Sequence, residues 1–360
     1  MKIFNSFRDR LRLFFYKRIY DFRNNNNPHD FKLSDTKCIV ISKIDGKLGD
    51  TQIITSFINS IQTAFPSIKI VVLSSRNLET TYKNCLNIDS YIALTKRPSL
   101  HELDCTVKQI KNADLFITLE SKFRLHDFYL LNRLRPKFIA GINSDVSCIN
   151  INLANRNPNS HITRYFEDLL TLGGCRYITR SYVPLTTQDA LTTAKSYCRK
   201  EQIALSPWGA SKHKHLSDET IIKIVQQIID KTQSPIALLI PPEGNYLKKK
   251  LKSRFDNKFL IDIPDYIDVN ELASIVSMSK AMISVDTATV HLACASKIPL
   301  FAIYNGNDQE LITLWSPLPS DKKDSSIFFI KNKLIDELSH HDLMSALEKF
   351  LLFTTNNGIL

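Results

Sequence analysis

A single carboxylate stands out in the first third of the chain. Asp50 follows Gly49 directly, after an apolar strand pattern at residues 37–42 and a short polar loop, and an apolar helical pattern follows over residues 51–64. A carboxylate at a helix N-terminus can serve as the general base that takes a proton from a hydroxyl group. It can equally stabilise the helix as a cap, by about 1 kcal/mol. The residues alone leave both interpretations open.

A second group of polar residues lies in the loop at residues 207–216, between a predicted strand at 203–206 and a predicted helix at 217–231. Small residues come first and lysines follow, which is typical of a loop that wraps a phosphate group. Ser211 would donate a hydrogen bond, and Lys212 or Lys214 would supply positive charge. The alternative is an ordinary basic surface loop.

The third group lies in residues 281–307, where two apolar strand patterns flank a turn and a helix of small residues predicted at 291–296. Asp286 and Thr287 occupy the turn, and His291 opens the predicted helix. Ligands of parallel α/β sheets bind at the carboxyl ends of strands, where helix N-termini favour anions. This stretch therefore predicts an anion-binding site.

Alternating strand and helix patterns position all three groups. Strand, helix and strand follow one another at 37–42, 51–64 and 69–74, and the alternation begins again at residue 203 after an apparent linker at 179–187. This order predicts two α/β domains with parallel sheets. Neither GxGxxG nor GxxxxGK[ST] occurs, which argues against dinucleotide-binding and P-loop sites.

Composition narrows the class of protein. The 360 residues carry a net charge of +11 with 43% hydrophobic residues, as expected of a globular protein with anionic partners. The seven cysteines are scattered without a CxxC pair, which favours a reducing compartment and argues against disulfides and zinc. No apolar run reaches the ~18 residues of a membrane span, and no basic-aromatic surface suggests nucleic acid. We expect a cytoplasmic protein without a metal.

Residues 2–23 predict an amphipathic helix with Phe4, Phe7, Leu11 and Phe14 on one side. Seven basic residues stand against two acidic ones, a net charge of +5. Such a helix suits the surface of an anionic membrane, or it packs on the protein itself. The polar run at 24–27 and Pro28 then end it.

Three motifs, in order over about residues 37–315, resemble glycosyltransferase family 9, the bacterial heptosyltransferases. Lys43 followed by Gly49-Asp50 resembles the family's N-terminal signature, and the loop with Lys214 before His215 resembles its phosphate-binding loop. The run Asp286-Thr287-Ala288-Thr289-Val290-His291-Leu292-Ala293 is similar to its D-T-G-x-x-H-x-A motif.

The resemblance implies a GT-B fold, in which two Rossmann-like domains face a central cleft. The acceptor-binding domain would lie at 36–185 and the nucleotide-sugar-binding domain at 196–335. The residue pattern itself predicts a basic amphipathic helix and linker at 1–27, outside the family's usual start, and a terminal helix and tail at 336–360. The implied activity is an inverting transfer of heptose from ADP-heptose to a lipopolysaccharide or lipooligosaccharide core, without a metal or other cofactor, at the cytoplasmic face of the inner membrane. The implied roles are general base for Asp50, diphosphate binding for Ser211 and Lys214, ribose contact for Glu243, and contact with donor sugar and diphosphate for Asp286, Thr287 and His291.

One residue departs from the family pattern. Ala288 stands where the family has glycine, and its methyl group would hinder a backbone with positive φ or a close approach to the diphosphate. Two alternatives therefore stay open: the same fold with another nucleotide-hexose donor, and a non-catalytic nucleotide-sugar-binding protein.

Overall fold

The structure, a computed structural model, describes residues 2–156, 158–305, 309–318, 325–330 and 340–356. Contacts between Cα atoms divide the chain into two compact units. The first comprises Met1–Lys47 and Ile54–Arg180, and the second comprises Leu48–Ile53 and Ser181–Leu360. The short segment Leu48–Ile53, which contains Asp50, therefore belongs with the second unit by its contacts.

The first unit alternates strands and helices around a parallel sheet. Its elements are α1 (Lys2–Tyr20), β1 (Cys38–Lys43), α2 (Leu48–Ala64), β2 (Lys69–Ser74), α3 (Glu79–Leu86), β3 (Ser90–Ala93), α4 (Leu100–Ile110), β4 (Leu115–Thr118), α5 (Leu125–Leu134), β5 (Phe138–Gly141), β6 (Ile151–Asn152), α6 (Leu153–Arg156) and α7 (Ile162–Leu172). Among the described residues the strand order is β3-β2-β1-β4-β5-β6. All six residues of β1 are buried, because helices cover both faces of a parallel sheet.

The predicted N-terminal helix is present as α1, and its end is fixed on the first unit. Tyr16, Tyr20 and Phe22 pack against the core formed by β1, α4 and α5. The Asn132 side chain donates a hydrogen bond of 2.7 Å to the carbonyl oxygen of Tyr20. Phe14 and Ile19 remain exposed. One side of the helix thus packs on the protein, and the other faces solvent.

The second unit repeats the same plan. Its elements are α8 (Gln188–Lys195), β7 (Ile203–Ser206), α9 (Asp218–Thr232), β8 (Ile236–Leu238), α10 (Asn245–Arg254), β9 (Leu260–Ile261), α11 (Val269–Ser277), β10 (Ala281–Val285), α12 (Ala288–Ser296), β11 (Leu300–Asn305), α13 (Gln309–Trp315), β12 (Ser325–Ile330) and α14 (His340–Asn356). In the described part of this unit the strand order is β12-β11-β10-β7-β8-β9, again parallel throughout. Counted from the first strand of each unit, both sheets have the order 3-2-1-4-5-6 of a Rossmann fold. The predicted fold class, two Rossmann-like domains, is confirmed.

Local sequence explains where these helices begin. Ser217 caps α9, its hydroxyl accepting a 3.3 Å hydrogen bond from the Thr220 amide. Asp268 and Glu271 form a reciprocal capping box at α11. The terminal helix α14 buries Leu343, Leu347 and Leu351 against the second core. Residues 336–339 and 357–360 of the predicted terminal region lie outside the described residues.

Two helices begin earlier than the sequence patterns suggest. Helix α2 begins at Leu48 rather than at residue 51, with Lys47 as its N-cap. Asp50 is therefore the third helical residue and not the cap. Helix α12 begins at Ala288 rather than at His291, after an extended Thr287. Both helices start within small or polar residues, where apolar periodicity carries no signal.

Candidate active site

In the sheet of the second unit the order of the strands along the chain reverses between β7 and β10, which pair in parallel with Ser284 opposite Ser206. Connections lead away to opposite sides from these two strands, so a crevice forms at their carboxyl ends. The loop at 207–216 follows β7, and the turn at Asp286 follows β10. Two of the three polar groups found in the sequence therefore meet at one edge.

The loop after β7 is held in a fixed shape by its own backbone and rings. The Gly209 amide donates to the Lys214 carbonyl oxygen at 3.0 Å, and the Leu216 amide donates to the Pro207 carbonyl oxygen at 3.1 Å. The Trp208 indole stacks on the His215 imidazole with ring centroids 4.6 Å apart. The loop is therefore closed at its base, and Lys214 projects from a preorganised frame.

Lys214 forms an ion pair with Asp286, through its ammonium group and one carboxylate oxygen. A Cβ added at Gly209 would lie 2.7 Å from Lys214 Cβ and 3.1 Å from the Asp286 carbonyl oxygen. Glycine is therefore required for the loop to approach the turn so closely. The side chains of Lys214 and Asp286 are each about one-third exposed, so an anion from solvent can reach the ammonium group.

The N-terminus of α12 lies at the same edge. Thr287 is its N-cap, with φ −155° and no hydrogen bond from its side chain to the helix. The first-turn amides and the helix dipole therefore favour an anion here. Ala288 is the first helical residue and does not have a positive φ. Alanine at this position consequently introduces no backbone strain.

Asp50 is brought to this helix by a close backbone contact. A Cβ added at Gly49 would lie 3.1 Å from His291 Cδ2 and 3.7 Å from Ala288 Cα. His291 is 6% exposed, and its ring meets the edge of Tyr182 with centroids 6.3 Å apart. The first turn of α2 therefore rests on the first turn of α12, with Asp50 beside it and 9% exposed.

Comparison with known proteins identifies the family. The model of glycosyltransferase family 9 (heptosyltransferase) matches residues 107–325, more than half of the chain. The chain belongs to glycosyltransferase family 9. The match covers Lys214 and Asp286, whereas Asp50 precedes it. The search of curated proteins found no match.

Solved structures agree with this family fold. A family 9 glycosyltransferase from Veillonella parvula superposes with a TM-score of 0.72 at 14% identity, over 90% of this chain and 99% of that one. ADP-heptose lps heptosyltransferase II of E. coli gives 0.68 at 13% identity, over 88% and 99%. E. coli heptosyltransferase WaaC with ADP gives 0.65 at 15% identity, over 87% and 99%. At such low identity these likenesses establish the fold.

Of the remaining predicted site residues of this family 9 protein, Ser211 lies on the loop after β7 and Glu243 lies on the segment after β8. Ser211 is partly exposed, and its carbonyl oxygen accepts a 2.8 Å hydrogen bond from the Lys214 amide. Glu243 is exposed on a short 3₁₀ turn, Pro242–Gly244. A Cβ at Gly244 would lie 2.6 Å from the Trp208 ring. The turn that carries Glu243 therefore packs at Gly244 against the Trp208 indole of the Lys214 loop.

Three buried side chains near the site, those of Cys294, Tyr182 and Tyr304, are uncharged at neutral pH. Burial raises the pKa of Cys294 to about 12 and raises the pKa of Tyr182 well above its ordinary range. Burial, aided by the Asp286 carboxylate, also raises the pKa of Tyr304. The charges described at this edge include the Lys214–Asp286 pair and the dipole of α12.

Sequence reasoning did not single out Trp208, Gly209 or Tyr182. Trp208 had a signal, because it is one of two tryptophans in the chain and lies two residues after the end of a predicted strand. Tyr182 had none, because it lies in the stretch at 179–187 that was predicted to be a linker. Within that stretch Tyr182 is buried, and the Gln52 side chain donates a 2.6 Å hydrogen bond to the Val183 carbonyl oxygen.

The corresponding edge of the first sheet carries a second charged cluster. The Lys43 ammonium, almost fully buried at the end of β1, lies 3.1 Å from Asp45 Oδ1 and 3.2 Å from Glu120 Oε1. Burial raises the pKa of Asp45, but the Lys43 and Lys47 ammonium groups outweigh burial and leave that pKa below its ordinary value.

Among the described residues, no group of three or more His, Cys, Asp or Glu side chains is arranged to hold a metal ion.

Proposed function

We propose that this family 9 protein is an inverting, metal-independent glycosyltransferase that moves heptose from ADP-heptose to a lipopolysaccharide or lipooligosaccharide core. The observation that carries the proposal is the contact of Gly49 with His291 and Ala288, which sets Asp50 beside the α12 N-terminus. In this proposal Asp50 is the base, and the N-terminus of α12 is the anion-binding element beside it. In this proposal the second unit binds the nucleotide sugar, and the first unit binds the acceptor.

The chemistry follows from these groups. Asp50 takes the proton of the acceptor hydroxyl, and the oxygen attacks the anomeric carbon from the side opposite the diphosphate. The bond from that carbon to the phosphate oxygen breaks, and its electron pair leaves with ADP. Lys214 and the α12 amides stabilise the negative charge on the departing diphosphate.

Other residues hold the donor in place. Lys214 exchanges part of its ion pair with Asp286 for the diphosphate, and Ser211 donates a hydrogen bond to the same group. Glu243 contacts the ribose. Asp286 and Thr287 lie beside the donor sugar, and His291 supports the contact with Gly49. The E. coli heptosyltransferase WaaC with ADP, which shares the fold, supports the choice of an adenine nucleotide.

The decisive experiment is Asp50→Asn. We expect kcat to fall by about 10²–10⁴-fold, the usual contribution of a general base, while ADP still raises the melting temperature. The matched control is Glu219→Gln, which also removes an acid from the first turn of a helix but at an exposed position. Wild-type turnover by Asp50→Asn would show that this residue acts only through the helix dipole.

A second experiment tests the donor. Thermal shifts with ADP, UDP and GDP measure which nucleotide binds, because a ligand of the folded state stabilises by RT ln(1 + [L]/Kd). We expect a clear shift with ADP. A shift with UDP or GDP alone would favour another nucleotide-hexose donor. Binding of a nucleotide sugar without turnover on any core acceptor would favour the non-catalytic alternative.

A further inference from the structure

Helix α1 presents an apolar surface to solvent. Leu11, Phe14, Phe15 and Ile19 are 47%, 58%, 50% and 61% exposed. With Leu13, they make up five of the ten exposed large hydrophobic side chains among the described residues. Isolated apolar side chains are normal on a protein surface, but a cluster on one helix marks an interaction site.

This surface has a fixed position on the first unit. The Tyr20 ring packs edge-on against Tyr129 with centroids 5.5 Å apart. The Asp21 carboxylate accepts hydrogen bonds from the Ser147 and Cys148 amides at 2.9 and 3.1 Å. The C-terminal end of α1 is thus held against the first unit. The exposed apolar side chains of this helix therefore have a fixed position on the protein.

Basic side chains border the apolar surface. An open groove of about 440 Å³ beside α1 is lined by Phe14, Phe22, Ser147, Asp21 and three cations, namely Lys17, Arg18 and Arg23. Asp21 is engaged by the two amides, so the cations dominate the charge that the groove offers. The Arg135 guanidinium lies 4.0 Å over the Phe22 ring and adds a fourth positive group nearby.

We infer that residues 11–23 dock the protein on an anionic phospholipid leaflet. Phe14, Phe15 and Ile19 enter the boundary between headgroups and acyl chains, and Lys17, Arg18 and Arg23 contact lipid phosphates. Aromatic side chains flanked by arginine and lysine match both layers of such a surface. A helix of this kind lies on a membrane, and no helix in the described part of the chain is long and apolar enough to cross one.

The inference is tested by sedimentation of the full chain with vesicles, without donor or acceptor. We expect binding to vesicles of equal parts phosphatidylglycerol and phosphatidylcholine, and much weaker binding to pure phosphatidylcholine. Phe14→Ser/Phe15→Ser should weaken binding about tenfold or more, since two half-exposed rings no longer insert. Lys17→Glu/Arg18→Glu should weaken it by at least ~20-fold, since each basic residue near an anionic surface contributes about fivefold.

The matched controls are substitutions of the same chemical kind on helices other than α1. Leu352→Ser removes an exposed apolar side chain of α14, and Lys195→Glu/Lys249→Glu reverses two exposed charges on α8 and α10. Both should bind vesicles like the wild type. Equal binding by all variants, or no binding by the wild type, overturns the inference. Loss of a dimer in Phe14→Ser/Phe15→Ser on size-exclusion chromatography, without vesicle binding by the wild type, assigns the surface to self-association instead.

The result is separable from the proposed sugar transfer. Turnover on a detergent-dispersed acceptor reports the chemistry of Asp50 and Lys214, and vesicle binding reports α1 alone. The α1 variants should therefore retain nucleotide-induced thermal shifts even when they no longer sediment with vesicles.

Discussion

At the scale of single residues, two glycines determine how the site is assembled. Gly49 lets the first turn of α2 rest on His291 and Ala288, and Gly209 lets the Lys214 loop rest on Asp286. Neither has a positive φ, so the requirement is for space rather than backbone freedom. The positions of the acid and the cation therefore depend on residues that do no chemistry themselves.

Gly209→Ala tests this dependence. The added methyl would lie 2.7 Å from Lys214 Cβ and 3.1 Å from a backbone oxygen, so the loop must shift. A shift costing about 1.4 kcal/mol corresponds to a tenfold loss of affinity, and we expect ADP affinity, measured by calorimetry, to fall by about that factor. Ala210→Ser, at the exposed neighbouring position, is the control and should bind ADP normally. Unchanged affinity in Gly209→Ala would mean that the loop does not hold the donor.

At the scale of elements, α5 begins with a buried acid. The Asp127 carboxylate accepts a 2.7 Å hydrogen bond from the Arg124 amide at the start of the helix. Burial raises the pKa of Asp127 to about 7, although that hydrogen bond acts in the opposite direction. The folded protein therefore keeps a proton that the unfolded chain releases above about 3.8.

This proton makes stability depend on pH. Because the folded state binds more protons between pH 3.8 and about 7, the contribution of Asp127 to stability is present below that window and is lost as pH rises through it. We expect the free energy of unfolding of Asp127→Asn to depend less on pH in this window. At pH 8 this variant should be more stable than the wild type by on the order of 2–4 kcal/mol.

Urea unfolding at several pH values measures the difference between wild type and Asp127→Asn. Asp189→Asn, an exposed first-turn acid of α8, is the control and should follow the wild type. If the free energy of unfolding varied with pH in the same way for the wild type and Asp127→Asn, the folded protein would not keep a proton on Asp127.

At the scale of the whole molecule, the two units share one plan and both contain free thiols. Cys38, Cys148 and Cys175 are buried in the first unit and Cys294 in the second, and Cys85, Cys105 and Cys198 are partly exposed. Burial raises the pKa of Cys148 and of Cys294. Cys148 and Cys294 therefore form little thiolate, and their sulfur atoms are also buried away from a reagent in solvent.

Alkylation of the native protein should follow this distribution. With iodoacetamide at pH 8, we expect Cys105 to be labelled early, and Cys148 and Cys294 only after unfolding. Peptide mass spectrometry over a time course measures the order, and a sample in urea, in which all seven cysteines should react, is the reference. Early labelling of Cys294 in the native protein would contradict the buried position of α12.

Sequence alone determined the fold class, because apolar strand and helix patterns alternate along the chain and their carboxyl ends carry the polar residues. The grouping of Lys214 with Asp286 was implied only by the family resemblance, because the pairing of β7 with β10 is a tertiary contact between distant segments. Helix starts at Leu48 and Ala288 did not follow, because small and polar residues carry no periodicity.

Tertiary structure alone decided three further features. The contact of Gly49 with His291, the anchoring of Tyr182, and the division of α1 into a packed side and an exposed side all join residues far apart in the chain. Each depends on how particular side chains fill space, and a linear pattern does not contain that information. The sequence located the polar residues, and packing determined which of them lie together.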